Sequence, residues 1–204
     1  MSFGSRTLGY LADPFTPVTS PYTTNGSFTE TIPTGATTVV IEVFGASGDG
    51  GGGAGSGCTA KTGGGGGSGA YSKTTFSVAS LNGKTFDLVV ANRNTASNTT
   101  VSAGATNGVT GFTQMIAPYG GNGVTAGAGN GAGGAAATTA TGGTDTNSVG
   151  TAGLGGGNAC SPGQGAAGTA GTNGSGGPGG NGGTGTANAS RTNGQPGRVY
   201  FRYT

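Results

Sequence analysis

The sequence contains no histidine and no tryptophan, and only two of its 204 residues are cysteine. Charged residues are scarce as well, with eight Lys and Arg against six Asp and Glu. Without imidazole, the chain can build neither a Ser-His-Asp triad nor a histidine-ligated metal site. The six acidic residues do not form a spaced pair of the kind that glycosidases use. We therefore predict a protein that is not an enzyme, and we expect no catalytic residue, metal or cofactor.

Long runs of a single residue class, either basic or apolar, are missing too. The eight basic residues are scattered along the chain, whereas nucleic-acid binding needs a basic patch or stripe. No apolar run approaches 18 residues, and the N-terminus lacks the basic-then-apolar pattern of a secretory signal. We expect neither nucleic-acid binding nor membrane insertion.

Short β-branched and aromatic segments are present, and they predict an all-β protein with essentially no helix. The segments alternate or are rich in Val, Ile, Thr, Tyr and Phe, and none shows a helical period. The dipeptide Asn82-Gly83 is typical of a hairpin turn. We predict a β-sandwich, jelly-roll-like in connectivity, with strands at 27–32, 37–44, 70–78, 85–90, 99–101, 110–116 and 197–203.

Glycine makes up 51 residues and is concentrated between the predicted strands. Residues 119–196 contain only three Leu, Ile, Val or Phe side chains, which are Val124, Val149 and Leu154. This stretch therefore has too few large side chains to form a core of its own. We predict one domain over 27–204, with glycine-rich insertions at 45–69 and 119–196.

Within the longer insertion, glycine occupies every third position from Gly165 to Gly183. Three residues per turn is the period of the polyproline II helix, and a glycine in each turn leaves one face bare. Neighbouring helices of this type, called polyglycine II, could then exchange main-chain hydrogen bonds. Collagen and a flexible linker remain alternatives, although proline is too rare for collagen. Segment 45–69 repeats glycine in the same frame, but glycine there is so dense that the frame is weak evidence.

Residues 1–26 contain three prolines and read as an extended N-terminal arm. The arm either covers its own domain or docks on a partner subunit. Its apolar residues are Phe3, Leu8, Tyr10, Leu11, Phe15, Val18 and Tyr22, of which the first five are the candidate docking residues.

Two further sets of residues are candidate sites. Cys58 and Cys160 lie in separate glycine-rich stretches, where they form either one disulfide or two free thiols. Loop tips on a rigid scaffold commonly carry binding residues. The small polar segments 138–148 and 184–192 therefore predict receptor-binding tips at Thr144, Asp145, Asn147, Asn188 and Arg191.

Three stretches combine a strand with glycine-rich sequence. They are segment 27–35 with strand 38–45 running into 48–57, segment 63–69 followed by Ala70-Tyr71, and the closing Gly194-Gln195-Pro196-Gly197-Arg198-Val199-Tyr200-Phe201-Arg202-Tyr203. These stretches resemble the glycine-rich domains of bacteriophage tail-fibre, adhesin and virion structural proteins. The resemblance covers about residues 27–204 and rests on pattern more than on exact motifs. The arm at 1–26 departs from it.

The resemblance implies a virion protein with a β-sandwich body and glycine-rich loops. It also implies the arrangement of some phage adhesins, which pack polyglycine II helices and carry variable receptor-binding loops at their tips. We expect a tail-fibre tip or adhesin that binds a glycan or protein of the host cell surface. The alternative is a capsid decoration or other structural virion protein that stabilises the particle. Either role implies other virion proteins as partners, and we expect a homo-oligomer or many copies on each virion. An ice-binding protein is a third, weaker hypothesis.

Overall fold

The computed structural model describes residues 15–54, 61–93, 95–156 and 193–204. These residues form nine β-strands and no helix. The strands are β1 Val18–Tyr22, β2 Gly26–Thr31, β3 Thr38–Phe44, β4 Tyr71–Ser77, β5 Thr85–Val90, β6 Thr99–Ala103, β7 Met115–Ala117, β8 Thr146–Ser148 and β9 Arg198–Tyr203.

Two antiparallel sheets pack face to face. One has the strand order β1-β9-β3-β4-β8 and the other the order β2-β5-β6-β7. The predicted β-sandwich without helix is confirmed for the described residues.

The alternation of apolar residues along each strand forms the core between the sheets. In β3, Val39, Ile41 and Val43 are fully buried, while Val40 and Glu42 lie on the other face. This is the two-residue period of a strand with one face on a core. The opposite sheet and β9 supply the other large buried side chains, chiefly Phe86, Leu88, Val90, Val101, Met115, Val199, Phe201 and Tyr203.

The prediction of a hairpin at Asn82-Gly83 is wrong. Gly83 does adopt a positive φ of 73°, which several turn types require at a central position. However, the turn joins β4 of one sheet to β5 of the other, so no hairpin forms there. The strand predicted at 110–116 is also shorter than expected, because Gly111, with a φ of 75°, lies in a turn before β7.

Part of the predicted arm belongs to the sandwich. Residues Val18–Tyr22 form the edge strand β1, which pairs with β9 along its whole length. The Tyr22 ring contacts Phe28 and Phe201, with centroid distances of 5.1 and 6.1 Å. Pro21, which has no N–H to donate, is tolerated because the strand lies at the edge of its sheet.

Strand register defines two ends of the sandwich. At one end, Phe44 of β3 pairs with both Tyr71 and Arg198, the first residues of β4 and β9. At the other end, Val18 and Val39 both pair with Tyr203. The glycine-rich segments leave from the first end, and residue 15 lies beyond the second.

Candidate functional site

Five glycine-rich segments extend from one end of the sandwich and contact one another. Segment 45–54 follows β3, 61–70 precedes β4, 118–126 follows β7, and 150–156 follows β8. Segment 131–137 follows the turn at 127–130. We call these five segments the glycine bundle. Segments 45–54, 118–126 and 150–156 run away from the sandwich, and the other two return to it. At the roughly 3.1 Å rise per residue of a polyproline II helix, ten residues would reach about 30 Å from the sheets.

Main-chain hydrogen bonds join the segments at every third residue. Segments 45–54 and 61–70 run antiparallel, with N–H to O distances of 2.7–2.9 Å. The donor and acceptor pairs are Gly45 to Ala70, Gly48 to Gly67, Gly51 to Gly64, and Ala54 to Lys61 in both directions. An antiparallel strand pair instead repeats its hydrogen bonds every two residues.

The same spacing recurs between the other segments. Segment 61–70 donates to 118–126, which runs antiparallel to it, while 118–126 and 131–137 donate to parallel neighbours. In segment 61–70 the donors are Gly64, Gly67 and Ala70, and their acceptors are Val124, Gly121 and Pro118. In segment 118–126 the donors are Gly120, Gly123 and Ala126, and their acceptors are Ala46, Asp49 and Gly52. In segment 131–137 the donors are Gly131, Gly134 and Ala137, and their acceptors are Thr62, Gly65 and Ser68. Segment 150–156 closes the set, because Gly150, Gly153 and Gly156 donate to Ala137, Gly134 and Gly131.

Glycine is needed where these segments touch. A Cβ added at many of the bundle glycines would overlap a main-chain carbonyl oxygen of the next segment. Gly67 would meet the oxygen of Ala135, for example, and Gly153 that of Gly65. Gly155 is different, because its nearest neighbour is the Gly131 oxygen at 3.7 Å, an ordinary contact. The short distance between segments therefore depends on the missing side chain.

The turn at 127–130 lies at the far end of the bundle. It connects segments 118–126 and 131–137, and all four of its residues are exposed. A Cβ at Gly127 or Gly129 would have no atom within 4 Å. The end of the bundle can therefore change in sequence without disturbing the packing behind it.

The predicted tip at 138–148 is placed elsewhere, at the edge of the five-stranded sheet. It contains β8, a strand that the sequence analysis does not anticipate, paired with β4. Thr74 and Thr144 share a hydrogen bond of 2.7 Å between hydroxyls, and Ser72 donates to Asn147 Oδ1 at 2.7 Å. These polar groups fasten the segment to the sheet.

Asp145 is also fixed by hydrogen bonds to neighbouring side chains. Its carboxylate accepts hydrogen bonds from the hydroxyls of Thr75, at 2.7 Å, and Thr144, at 3.2 Å. The Thr75 hydrogen bond is the main cause that lowers the pKa of Asp145 below its usual value. A binding role for Thr144, Asp145 and Asn147 stays a prediction, and any ligand would compete with these internal contacts.

Three charged groups on the outer face of the five-stranded sheet contact neighbouring side chains. Glu42 forms an ion pair with Arg202 and accepts a hydrogen bond of 2.8 Å from the Tyr71 hydroxyl. The Arg198 guanidinium lies over the Phe44 ring, 4.5 Å from its centroid.

Among the candidate docking residues of the arm, the structure describes Phe15. This ring is partly buried against the sandwich core and packs beside Gly35. The remaining four, Phe3, Leu8, Tyr10 and Leu11, lie outside the described residues, as do Cys58, Cys160, Asn188 and Arg191 and the strict glycine repeat at 165–183.

No family model and no curated protein matches the chain in sequence comparisons. Across the described ranges there is no helix long and apolar enough to cross a membrane. The same ranges contain no group of three or more acidic or cysteine side chains that could hold a metal ion.

Proposed function

We propose that this protein is a bacteriophage virion protein at a fibre tip, where it binds the surface of the host cell. The observation that carries the proposal is the glycine bundle, which extends from one end of a β-sandwich and is joined by main-chain hydrogen bonds at every third residue. That spacing matches the polyglycine II arrangement implied by the resemblance to phage adhesins.

The two ends of the molecule fit attachment at one end and recognition at the other. Residue 15 enters beyond the end of the sandwich where Val18 pairs with Tyr203, opposite the bundle. An arm that precedes it would reach a carrier fibre on that side. The bundle would hold the turn 127–130 about 30 Å away from the sheets.

Recognition is assigned to the turn 127–130 rather than to segment 138–148. The turn is exposed, and a Cβ added at Gly127 or Gly129 would have no atom within 4 Å. The side chains of Ser72, Thr74 and Thr75 fasten segment 138–148 to β4. Exposed turns on a rigid support are the usual position for variable binding residues.

Immunogold labelling of intact virions tests the location. A short epitope inserted at Gly129 should be labelled at the outer end of a fibre, and the same epitope inserted at Thr144 is the matched comparison, expected nearer the fibre body. Label on the capsid surface would reject the fibre-tip assignment and support capsid decoration.

Adsorption tests the activity. Purified full-length protein should bind host cells and compete with virions for adsorption. An insertion at Gly129 should weaken binding, while Asp145→Asn should leave it nearly unchanged. Loss of binding only in the Asp145 variant would return recognition to segment 138–148.

A further inference from the structure

Tyr119 lies where the sandwich meets the glycine bundle and is 37% exposed. It is the second residue of segment 118–126, and Pro118 separates it from the end of β7. Tyr119 lines two depressions, with volumes of about 350 and 220 Å³. An exposed tyrosine beside two depressions offers a flat apolar surface with room for a ligand next to it.

The main chain around Tyr119 is fixed before any ligand arrives. Ala70 donates to the Pro118 oxygen at 2.9 Å, and Gly120 donates to the Ala46 oxygen at 2.9 Å. Across the larger depression, Gly121 donates to the Ala135 oxygen at 2.8 Å. Preformed concave sites of this kind lose little conformational entropy when they bind.

The lining of the larger depression combines apolar residues with two neutral polar side chains. The apolar residues are Tyr119, Pro118, Ala135 and Ala136, and the polar side chains are those of Asn98 and Thr138. An asparagine amide offers both a donor and an acceptor, and a threonine hydroxyl can serve as either. The described residues that line the two depressions carry no charge.

These features select the class of ligand. A sugar ring has an apolar face of C–H groups and a rim of hydroxyls, which match the tyrosine ring and the neutral side chains of Asn98 and Thr138. A charged group would lose its hydration here without gaining a counter-charge from this lining. A protein partner needs about 800 Å² of surface, far more than this depression provides.

We propose that Tyr119 and the two depressions beside it form a binding site for a neutral glycan, with one sugar stacked on the ring and the next in the adjoining depression. The site rests on the proposed function, because it names a class of host-surface receptor. It lies at the base of the bundle, so a glycan chain would run along the side of the bundle while the turn 127–130 contacts the cell surface.

Titration of the ¹⁵N-labelled full chain with methyl glycosides of glucose, galactose, mannose and N-acetylglucosamine tests the site, with glucuronic acid as the charged comparison. At least one neutral glycoside should saturate at concentrations on the order of 1–10 mM, the weak affinity of a single small ligand. Shifts should concentrate at 95–98, 118–121 and 135–138. Absence of such shifts up to about 100 mM, an affinity too weak for a receptor site, would overturn the proposal.

Variants separate the ring from its surroundings. Tyr119→Ala should weaken binding about tenfold or more, and Tyr119→Phe, which keeps the ring, about threefold or less. Asn98→Ala should weaken binding to a smaller extent than Tyr119→Ala. Val124→Ala is the matched control, because Val124 is 53% exposed in the same segment and should be silent. Unchanged binding by Tyr119→Ala would reject the site.

Host-cell adsorption distinguishes failure of the site from failure of the proposed function. If wild type and Tyr119→Ala adsorb equally, the glycan site is rejected and host attachment stands. If neither adsorbs while wild type still titrates with a neutral glycoside, host attachment is rejected and the site stands.

Discussion

The sandwich and the glycine bundle are ordered by opposite means. In the sandwich, large side chains such as Phe86, Leu88 and Phe201 fill the space between two sheets. In the bundle, glycine removes the side chain, and main-chain amides of adjacent segments bond directly. The sandwich therefore depends on its large side chains, and the bundle depends on the absence of side chains where its segments touch. Removing a side chain should destabilise the sandwich, whereas adding one should destabilise the bundle.

Removing a core ring should have the largest effect. Phe86 is fully buried and lies 4.9 Å from Phe112 and 5.4 Å from Phe201, between ring centroids. Phe86→Ala should lower the free energy of unfolding by about 3–5 kcal/mol, because a cavity replaces the ring. Chemical denaturation measures this value.

The bundle counterpart of that change is Leu154→Ala. Leu154 is 62% exposed, so its loss should change stability by less than about 0.5 kcal/mol. A large destabilisation by Leu154→Ala would mean that side-chain burial also orders the bundle.

Adding a methyl group to the bundle should have the next largest effect. Gly67 donates to Gly121 and accepts from Gly48, and a Cβ there would overlap the Ala135 carbonyl oxygen. Gly67→Ala should cost about 1–3 kcal/mol, or open the bundle while the sandwich stays folded. Far-ultraviolet circular dichroism and proteolysis distinguish a less stable protein from one whose bundle has opened while the sandwich stays folded.

Gly155→Ala is the matched control for Gly67→Ala. Its Cβ would have ordinary contact distances, so the substitution should be neutral or slightly stabilising. Equal effects of the two alanines would contradict the steric account.

Alkaline pH should act on the sandwich. Burial, followed by the nearby Glu30 carboxylate, raises the pKa of Tyr203 above its ordinary 10.0. Burial and the hydrogen bond to Glu30 do the same for the pKa of Tyr22. In the unfolded chain tyrosine ionises near pH 10, so the stability from these groups is present below that pH and is lost as pH rises further.

The free energy of unfolding, measured from pH 8 to 12, checks this sign. Tyr203→Phe keeps the ring but cannot ionise, so its stability should fall less steeply above pH 10 than that of wild type. Identical slopes would show that Tyr203 does not contribute to the loss.

Removing the outer-face ion pair should have a small effect. The Arg202 side chain is 49% exposed, so water screens its interaction with Glu42. Arg202→Ala should cost less than about 1 kcal/mol, and the cost should shrink in high salt. Thermal unfolding at two salt concentrations measures both.

The sandwich was largely predictable from sequence because its strands carry alternating apolar residues. Val39, Ile41 and Val43 show the two-residue period of β3, and the strand predicted at 85–90 matches β5. Strand β8 was not predictable, because Thr146-Asn147-Ser148 has no apolar alternation and is held by main-chain and polar contacts. The passage of the chain from one sheet to the other after Asn82-Gly83 was not predictable either, because the same dipeptide occurs in hairpin turns and in turns that join two sheets.

The bundle shows a different limit. The glycine frame at Gly45, Gly48 and Gly51 was visible in the sequence, and these residues do donate at three-residue spacing. The choice of partner segment was not visible, because glycines carry no side chain that distinguishes one neighbour from another. Tyr119 was missed for a related reason. Its position beside two depressions depends on segments that are distant in sequence. The one local signal is that an aromatic residue stands at the start of a glycine-rich stretch.

Residue-resolved amide hydrogen exchange tests the central claim most directly, that main-chain hydrogen bonds at three-residue spacing order the bundle. Gly134 is buried and donates to the Gly65 oxygen at 2.7 Å, whereas Ala136 in the same segment is exposed. The account predicts exchange at Gly134, Gly131 and Gly153 slower than at Ala136 by roughly a hundredfold or more. Fast and uniform exchange across residues 131–137 and 150–156 would contradict it.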